Sequence, residues 1–114
     1  MKIIPYGRQS IDREDIKAVT RVLGSDWITQ GPNIDEFEKA LCAYTGARYA
    51  VAVSNGTTAL HIACLAAGVK AGDELITSPI TFLASANCAL YCGAKPVFVD
   101  VEPGTGNIDR KSVV

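Results

Sequence analysis

The sequence predicts an α/β fold, a mostly parallel sheet flanked by helices. Three observations carry that expectation. Short apolar runs of strand length at residues 49–53, 74–77 and 97–101 are each followed by a turn and then by helix-like sequence. The helical stretches before and between them stop on glycine, at Gly46, Gly68 and Gly93. The composition, 48% apolar and 20% charged over 114 residues, suits one domain with a core rather than a disordered or low-complexity chain.

Two lead-in helices come first. Asp12 can cap a helix whose apolar positions Ile16, Val19 and Leu23 fall at i, i+3 and i+7, with Gly24 as its stop. A Gly- and Pro-bearing loop over residues 25–32 follows. Gly31 or Asn33 opens the second helix, in which Ile34, Phe37, Leu41 and Tyr44 recur on one face until Gly46 closes it.

The strand–helix units begin after that. Residues 49–53 are continuously apolar, as a strand buried on both faces requires. Beyond the turn at 54–58, residues 59–67 are apolar all round except His61, which predicts a deeply buried helix ended by Gly68. Residues 74–77 form the second strand, Pro79 breaks the chain, and 81–92 form an Ala-rich helix. Residues 97–101 form the third strand, and Asp109 is the expected N-cap of one more helix. The organisation expected is a single partial domain: lead-in helices over 1–46, strand–helix units over 47–114.

Charge excludes some partners. Eleven basic and twelve acidic side chains leave a net charge of −1 with no basic cluster, so no nucleic-acid footprint exists. No apolar run reaches the roughly 18 residues that a membrane span needs. The start, Met1-Lys2-Ile3-Ile4-Pro5, lacks a signal-peptide core, which makes the cytoplasm the expected location. Cys64, Cys88, Cys92 and His61 have the composition of a Cys3His zinc set. Their mid-helix spacing instead favours small buried hydrophobes, and no metal is expected. Cys42 completes the four cysteines, expected to stay reduced.

Chemistry concentrates at the carboxyl ends of the strands, where ligands of parallel sheets sit. After the first strand, Ser54-Asn55-Gly56-Thr57-Thr58 opens a helix. Gly56 lets a ligand approach the backbone, the helix N-terminus favours an anion, and Thr57 and Thr58 add hydroxyl donors. A phosphate is the natural guest, although neither a Walker loop nor G-x-G-x-x-G is present. The alternative is that Ser54 or Asn55 merely caps the helix. Phe82, after the second strand, is either a stacking aromatic or an ordinary core residue. Trp27, in a polar loop, is either an anchor over the lead-in helices or a ligand-facing lid.

Together these residues carry a resemblance. Trp27-Ile28-Thr29-Gln30-Gly31-Pro32 with Phe37-Glu38-Lys39, the stretch from Ala52 through Ser54-Asn55-Gly56-Thr57-Thr58 to His61, Gly72-Asp73-Glu74, Thr81-Phe82, and Gly93-Ala94-Lys95-Pro96-Val97-Phe98-Val99-Asp100 run in order along the chain. They resemble the DegT/DnrJ/EryC1/StrS family of sugar aminotransferases. Pro5-Tyr6-Gly7, the run from Ile76 to Phe82 and Gly106-Asn107-Ile108-Asp109 are most similar to the PseC branch, whose members make UDP-4-amino-4,6-dideoxy-N-acetyl-β-L-altrosamine, a pseudaminic acid precursor.

The resemblance implies the N-terminal portion of a fold-type I large domain, incomplete in this chain, with pyridoxal 5′-phosphate as cofactor and glutamate as usual amino donor. It implies that Gly56, Thr57 and Thr58 hold the cofactor phosphate and that Phe82 stacks on the pyridine ring. Tyr6, Asp26, Trp27, Ile28, Thr29 and Gln30 would face the nucleotide sugar. A homodimer with its active site at the subunit interface is implied as well. The family's Schiff-base lysine has no counterpart among Lys2, Lys17, Lys39, Lys70, Lys95 and Lys111, and Asp100 matches a different position from the pyridine partner. No catalytic residue is therefore assigned, and the chain alone is expected not to transaminate. Stopping at Val114, it is expected to leave strand edges and Ala-rich faces open, and so to associate or re-pair. The rivals are a sugar dehydratase of the same family, with histidine in place of the lysine, a non-catalytic phosphate-binding α/β module, and an interaction remnant.

Overall fold

A computed structural model describes residues 7–113. The chain divides into two compact units, Met1–Ala52 and Val53–Val114.

The first unit holds helix α1 (Arg13–Leu23) and helix α2 (Pro32–Thr45). Asp12 caps α1 as its sequence requires. Its carboxylate accepts from the Glu14 and Asp15 amides at 2.8 and 3.1 Å, and the Asp15 carboxylate accepts from the Asp12 amide at 2.9 Å. Three amides are thereby satisfied, two by the Asp12 cap and one by the reciprocal bond from Asp15. Gly31 is the N-cap of α2, Pro32 is its first residue, and Gly46 closes it. The apolar stripe of α1 is uncovered, with Ile16, Val19 and Leu23 all exposed.

Residues 49–53 form no strand. A strand needs a neighbour for its amides and carbonyls, and no described strand runs beside this segment. Its anchored group is instead the Ala52 amide, which donates to the Glu38 carboxylate of α2 at 2.8 Å. Residues 47–52 accordingly group with the two helices.

The second unit contains helix α3 (Gly56–Ala66), strand β1 (Glu74–Thr77), helix α4 (Ala84–Tyr91), strand β2 (Lys95–Phe98) and a 3-10 turn at Arg110–Val113. β1 and β2 pair in parallel, Glu74 opposite Lys95 and Thr77 opposite Phe98. The strand expected at 97–101 thus sits earlier. Its pairing runs from the Lys95 amide, which donates to the Asp73 carbonyl, to the Val99 amide, which donates to that of Thr77. Pro96 is tolerated because alternate residues point their amides to opposite edges, and its missing donor lies on the side away from β1. Val101 reappears in an antiparallel bridge to Ile108. Asp109 caps the final turn, accepting from the Lys111 amide at 3.0 Å.

α4 connects the two strands and packs against both and against α3. It starts at Ala84, three residues later than the Ala-rich pattern suggests, because residues 79–83 are spent on the turn that Pro79 imposes. The core is correspondingly small: Ala84, Ala86, Cys88 and Ala89 of α4, with Ala94 and Val99. α4 ends in a Schellman closure. Gly93, at φ 74°, donates to the Leu90 carbonyl, and Ala94 donates to that of Ala89 at 2.9 Å. α3 is not the deeply buried helix that its apolar composition predicts. None of its residues is buried, and Leu60, Ile62 and Leu65 are exposed, because α4 covers only one of its faces. Among the described residues no helix is long and apolar enough to cross a membrane.

Candidate functional site

The N-terminus of α3 is shaped by Asn55. Its backbone is extended, so the chain enters the helix directly after it. The Asn55 Oδ1 accepts from the Thr58 amide at 2.9 Å and from the Thr58 hydroxyl at 3.1 Å. Its carbonyl accepts from the Ala59 amide at 3.1 Å. Of the two capping candidates, Asn55 is thus the cap, and Ser54 accepts from its Nδ2 at 3.1 Å.

Capping leaves part of the helix end open. Among the described residues, the Gly56 and Thr57 amides and the Thr57 hydroxyl meet no protein partner. No acidic side chain stands in the first turn to occupy them. A Cβ placed on Gly56 would meet nothing within 4 Å, so the space before the turn is free. Two amides and a hydroxyl at the positive end of a helix dipole are donors suited to a phosphate. The Thr58 proton is committed to Asn55, so of the two hydroxyls Thr57 is the free donor.

Phe82 occupies the turn between β1 and α4, at the carboxyl end of β1. It is 73% exposed, which removes the core reading and leaves an aromatic face free. The turn beneath it is pinned: the Ser78 Oγ accepts from the Ile80 amide at 3.0 Å, and the Phe82 carbonyl accepts from the Ser85 amide at 3.0 Å.

Asp26, Trp27, Ile28, Thr29 and Gln30 form the α1–α2 loop of the first unit. The Trp27 side chain lies over Gly31, where an added Cβ would come within 2.8 Å of the Trp27 Cβ, yet Trp27 stays 62% exposed. It is therefore tied to the start of α2 while keeping much of its surface open. Gln30 has φ 58°, unusual for a residue with a side chain. Tyr6, grouped with this loop by sequence, lies outside the described residues.

Cys64 lies on α3, Cys88 on α4 and Cys92 at the C-terminal end of α4, and the two helices pack together. Burial, followed by the Cys88 and Cys92 thiols beside it, pushes the Cys64 thiol up to about 11. Among the described residues no set of three or more His, Cys, Asp or Glu side chains is arranged to hold a metal ion. His61 packs its ring against Tyr91 at 5.3 Å between centroids.

Comparison with known proteins places this geometry in context. The model of the DegT/DnrJ/EryC1/StrS aminotransferase family matches residues 9–114. The spore coat polysaccharide biosynthesis protein SpsC of Bacillus subtilis is 46% identical over 106 residues, covering 93% of this chain and 27% of the relative. The UDP-4-amino-4,6-dideoxy-N-acetyl-beta-L-altrosamine transaminase of Campylobacter jejuni is 44% identical over 111 residues, covering 97% and 29%. Among solved structures, Spr1654 from Streptococcus pneumoniae, in PLP and PMP forms, superposes with a TM-score of 0.85 at 34% identity, over 96% of this chain and 28% of that one. The chain spans less than a third of the length of each.

Proposed function

Because the chain belongs to the DegT/DnrJ/EryC1/StrS aminotransferase family, whose members are sugar aminotransferases dependent on pyridoxal phosphate, we propose that it supplies the cofactor-phosphate cradle and part of the sugar-nucleotide surface of such an enzyme. The reaction is transfer of an amino group, usually from glutamate, to a nucleotide-linked 4-keto-6-deoxy sugar. The Campylobacter relative supports a pseudaminic acid precursor as the product class.

The open end of α3 carries this reading. Its free Gly56 and Thr57 amides and Thr57 hydroxyl fit a phosphate, and the exposed Phe82 ring fits the face of a flat heteroaromatic. When bound, the cofactor supplies the carrier for the amino group and the electron sink for the bond changes. The residues of this chain hold and orient it. Gly56 and Thr57 donate to phosphate oxygens, and Asn55 keeps the turn in the shape that aims them. Phe82 covers one ring face and keeps water from it. Asp26, Trp27, Ile28, Thr29 and Gln30, with Tyr6, contact the nucleotide sugar. None of the chain's lysines matches the family's lysine motif, so no catalytic residue is assigned to it. The resemblance supports a homodimeric whole enzyme.

Pyridoxine 5′-phosphate tests the cradle, since it lacks the aldehyde that would condense with surface lysines. Titration by NMR is expected to show saturable shifts at Gly56, Thr57 and Thr58. Thr57→Val should weaken binding by about tenfold, the worth of one hydrogen bond to a charged group. Equal affinity for unphosphorylated pyridoxine would overturn the assignment. The 114-residue chain given pyridoxal phosphate, glutamate and the keto sugar is expected to form no amino sugar, and turnover would overturn the placement of the catalytic lysine elsewhere.

A further inference from the structure

We propose that Asn55-Gly56 is a self-modification site, where the Gly56 nitrogen displaces ammonia from the Asn55 side chain and water then leaves an aspartate or isoaspartate beside the phosphate cradle. The chain has four asparagines, Asn33, Asn55, Asn87 and Asn107. Closure of an asparagine side chain onto the next residue's nitrogen is obstructed by that residue's Cβ. Ile34, Cys88 and Ile108 follow the other three, whereas glycine follows Asn55.

The local geometry supplies the remaining parts. The nucleophile is free, since the Gly56 amide meets no protein partner among the described residues. The Ile34 amide, by contrast, is bonded to the Gly31 carbonyl. The Asn55 Oδ1 accepts from the Thr58 amide at 2.9 Å and the Thr58 hydroxyl at 3.1 Å, two donors placed to polarise the carbon under attack. The Asn55 Nδ2, the leaving nitrogen, donates to the Ser54 Oγ at 3.1 Å. Ser54, Asn55 and Gly56 are exposed, so water reaches all of them.

The atoms balance with one water in and one ammonia out. Gly56 gives its amide proton to water or hydroxide, and its nitrogen bonds to the Asn55 Cγ. The negative charge gathers on Oδ1, between the two Thr58 donors. Collapse breaks the Cγ–Nδ2 bond, and Nδ2 leaves as ammonia with a proton from solvent. Water then opens the five-membered imide. Attack at Cγ gives aspartate, and attack at the main-chain carbonyl gives isoaspartate. Ring closure requires rotation about the Asn55 ψ, now 168°, which frees its carbonyl from the Ala59 amide. Closure therefore proceeds from a frayed first turn, and the folded chain reacts more slowly than the unfolded one. Either product adds a negative charge where the cradle reading seats a phosphate; this consequence rests on that reading.

Incubation of the 114-residue chain at mildly alkaline pH, followed by peptide mapping, tests the site. Conversion is expected at Asn55 and at none of Asn33, Asn87 and Asn107, as two products of equal mass that chromatography separates. Guanidinium should speed it. Gly56→Ala should lose most of it, and a Cβ there meets nothing within 4 Å, so that variant keeps the fold. An Asn55 left intact in the native chain after the unfolded chain has converted would overturn the proposal, as would equal conversion in Gly56→Ala or at the other asparagines. Asn55→Asp reproduces one product and should bind pyridoxine 5′-phosphate about tenfold more weakly than the unaltered chain, the effect of one like charge at an exposed site. Equal affinity would overturn the consequence. If neither chain binds, the cradle falls, and the mapping still decides the modification.

Discussion

Asn55 and Thr58 are joined twice, through the Thr58 amide at 2.9 Å and the Thr58 hydroxyl at 3.1 Å, both donating to the one Asn55 side-chain oxygen. That cap fixes which donors of the α3 terminus are used and which are left for a ligand. Asn55→Ala is expected to cost about 1 kcal/mol of stability, as loss of an N-cap does. Asn55→Asp should retain the cap. Urea midpoints of the three proteins check this, and an unchanged midpoint for Asn55→Ala would remove Asn55 from its role.

Gly31 carries a second, steric prediction. Its φ of 79° and the 2.8 Å approach of the Trp27 Cβ leave no place for a side chain. Gly31→Ala is expected to destabilise the first unit by about 2 kcal/mol, combining a left-handed conformation with an overlap against a side-chain root. Trp27 is the chain's only tryptophan, so its fluorescence reports the transition directly. A midpoint equal to that of the unaltered chain would show that the loop opens freely.

Features set by neighbouring residues were legible in the sequence. The Asp12 cap, the Gly31 opening, the Gly46 stop and the Gly93 closure each depend on a few adjacent groups, and each appears where its residue type predicts. The Asn55-Gly56-Thr57-Thr58 turn was legible for the same reason. Features that need a distant partner were not. The run at 49–53 has strand composition, but strand formation depends on a neighbour, and the Glu38 carboxylate takes one of its amides instead. The apolar surface of α3 signals a capacity for burial, while its actual exposure depends on what lies against it. The register of β2 was displaced because hydropathy marks Val97, Val99 and Val101, whereas pairing is decided by the β1 groups opposite Lys95 and Val99.

The Glu38 bond to Ala52 yields a third prediction. A partly buried amide that loses a charged acceptor forfeits more than a surface contact would. Glu38→Ala is expected to cost about 1–2 kcal/mol and to speed hydrogen exchange at the Ala52 amide. Glu38→Gln, which keeps a carbonyl oxygen within reach, should recover much of both. Exchange at Ala52 that ignores either substitution would detach the segment from α2.

Cys64 makes stability depend on pH in a stated direction. In the unfolded chain its thiol titrates near the ordinary value of 9.0, and in the folded chain burial, Cys88 and Cys92 hold the proton until about 11. Between those values the folded state binds more protons than the unfolded one, so stability falls as pH rises through the window. Below it both states are protonated and the effect vanishes. At a half-buried site the loss should be about 1 kcal/mol rather than the full two-unit figure. Lysines and tyrosines titrate over the same range, so the measurement is a difference: urea midpoints of the unaltered chain and of Cys64→Ser, each at about pH 8 and about pH 10.5. The unaltered chain should lose more than the variant between the two conditions. Iodoacetamide gives the kinetic counterpart, with Cys64 alkylated more slowly than a thiol of ordinary acidity. Parallel losses in the two proteins, together with equal alkylation rates, would mean that neither burial nor the neighbouring thiols hold the Cys64 proton in solution.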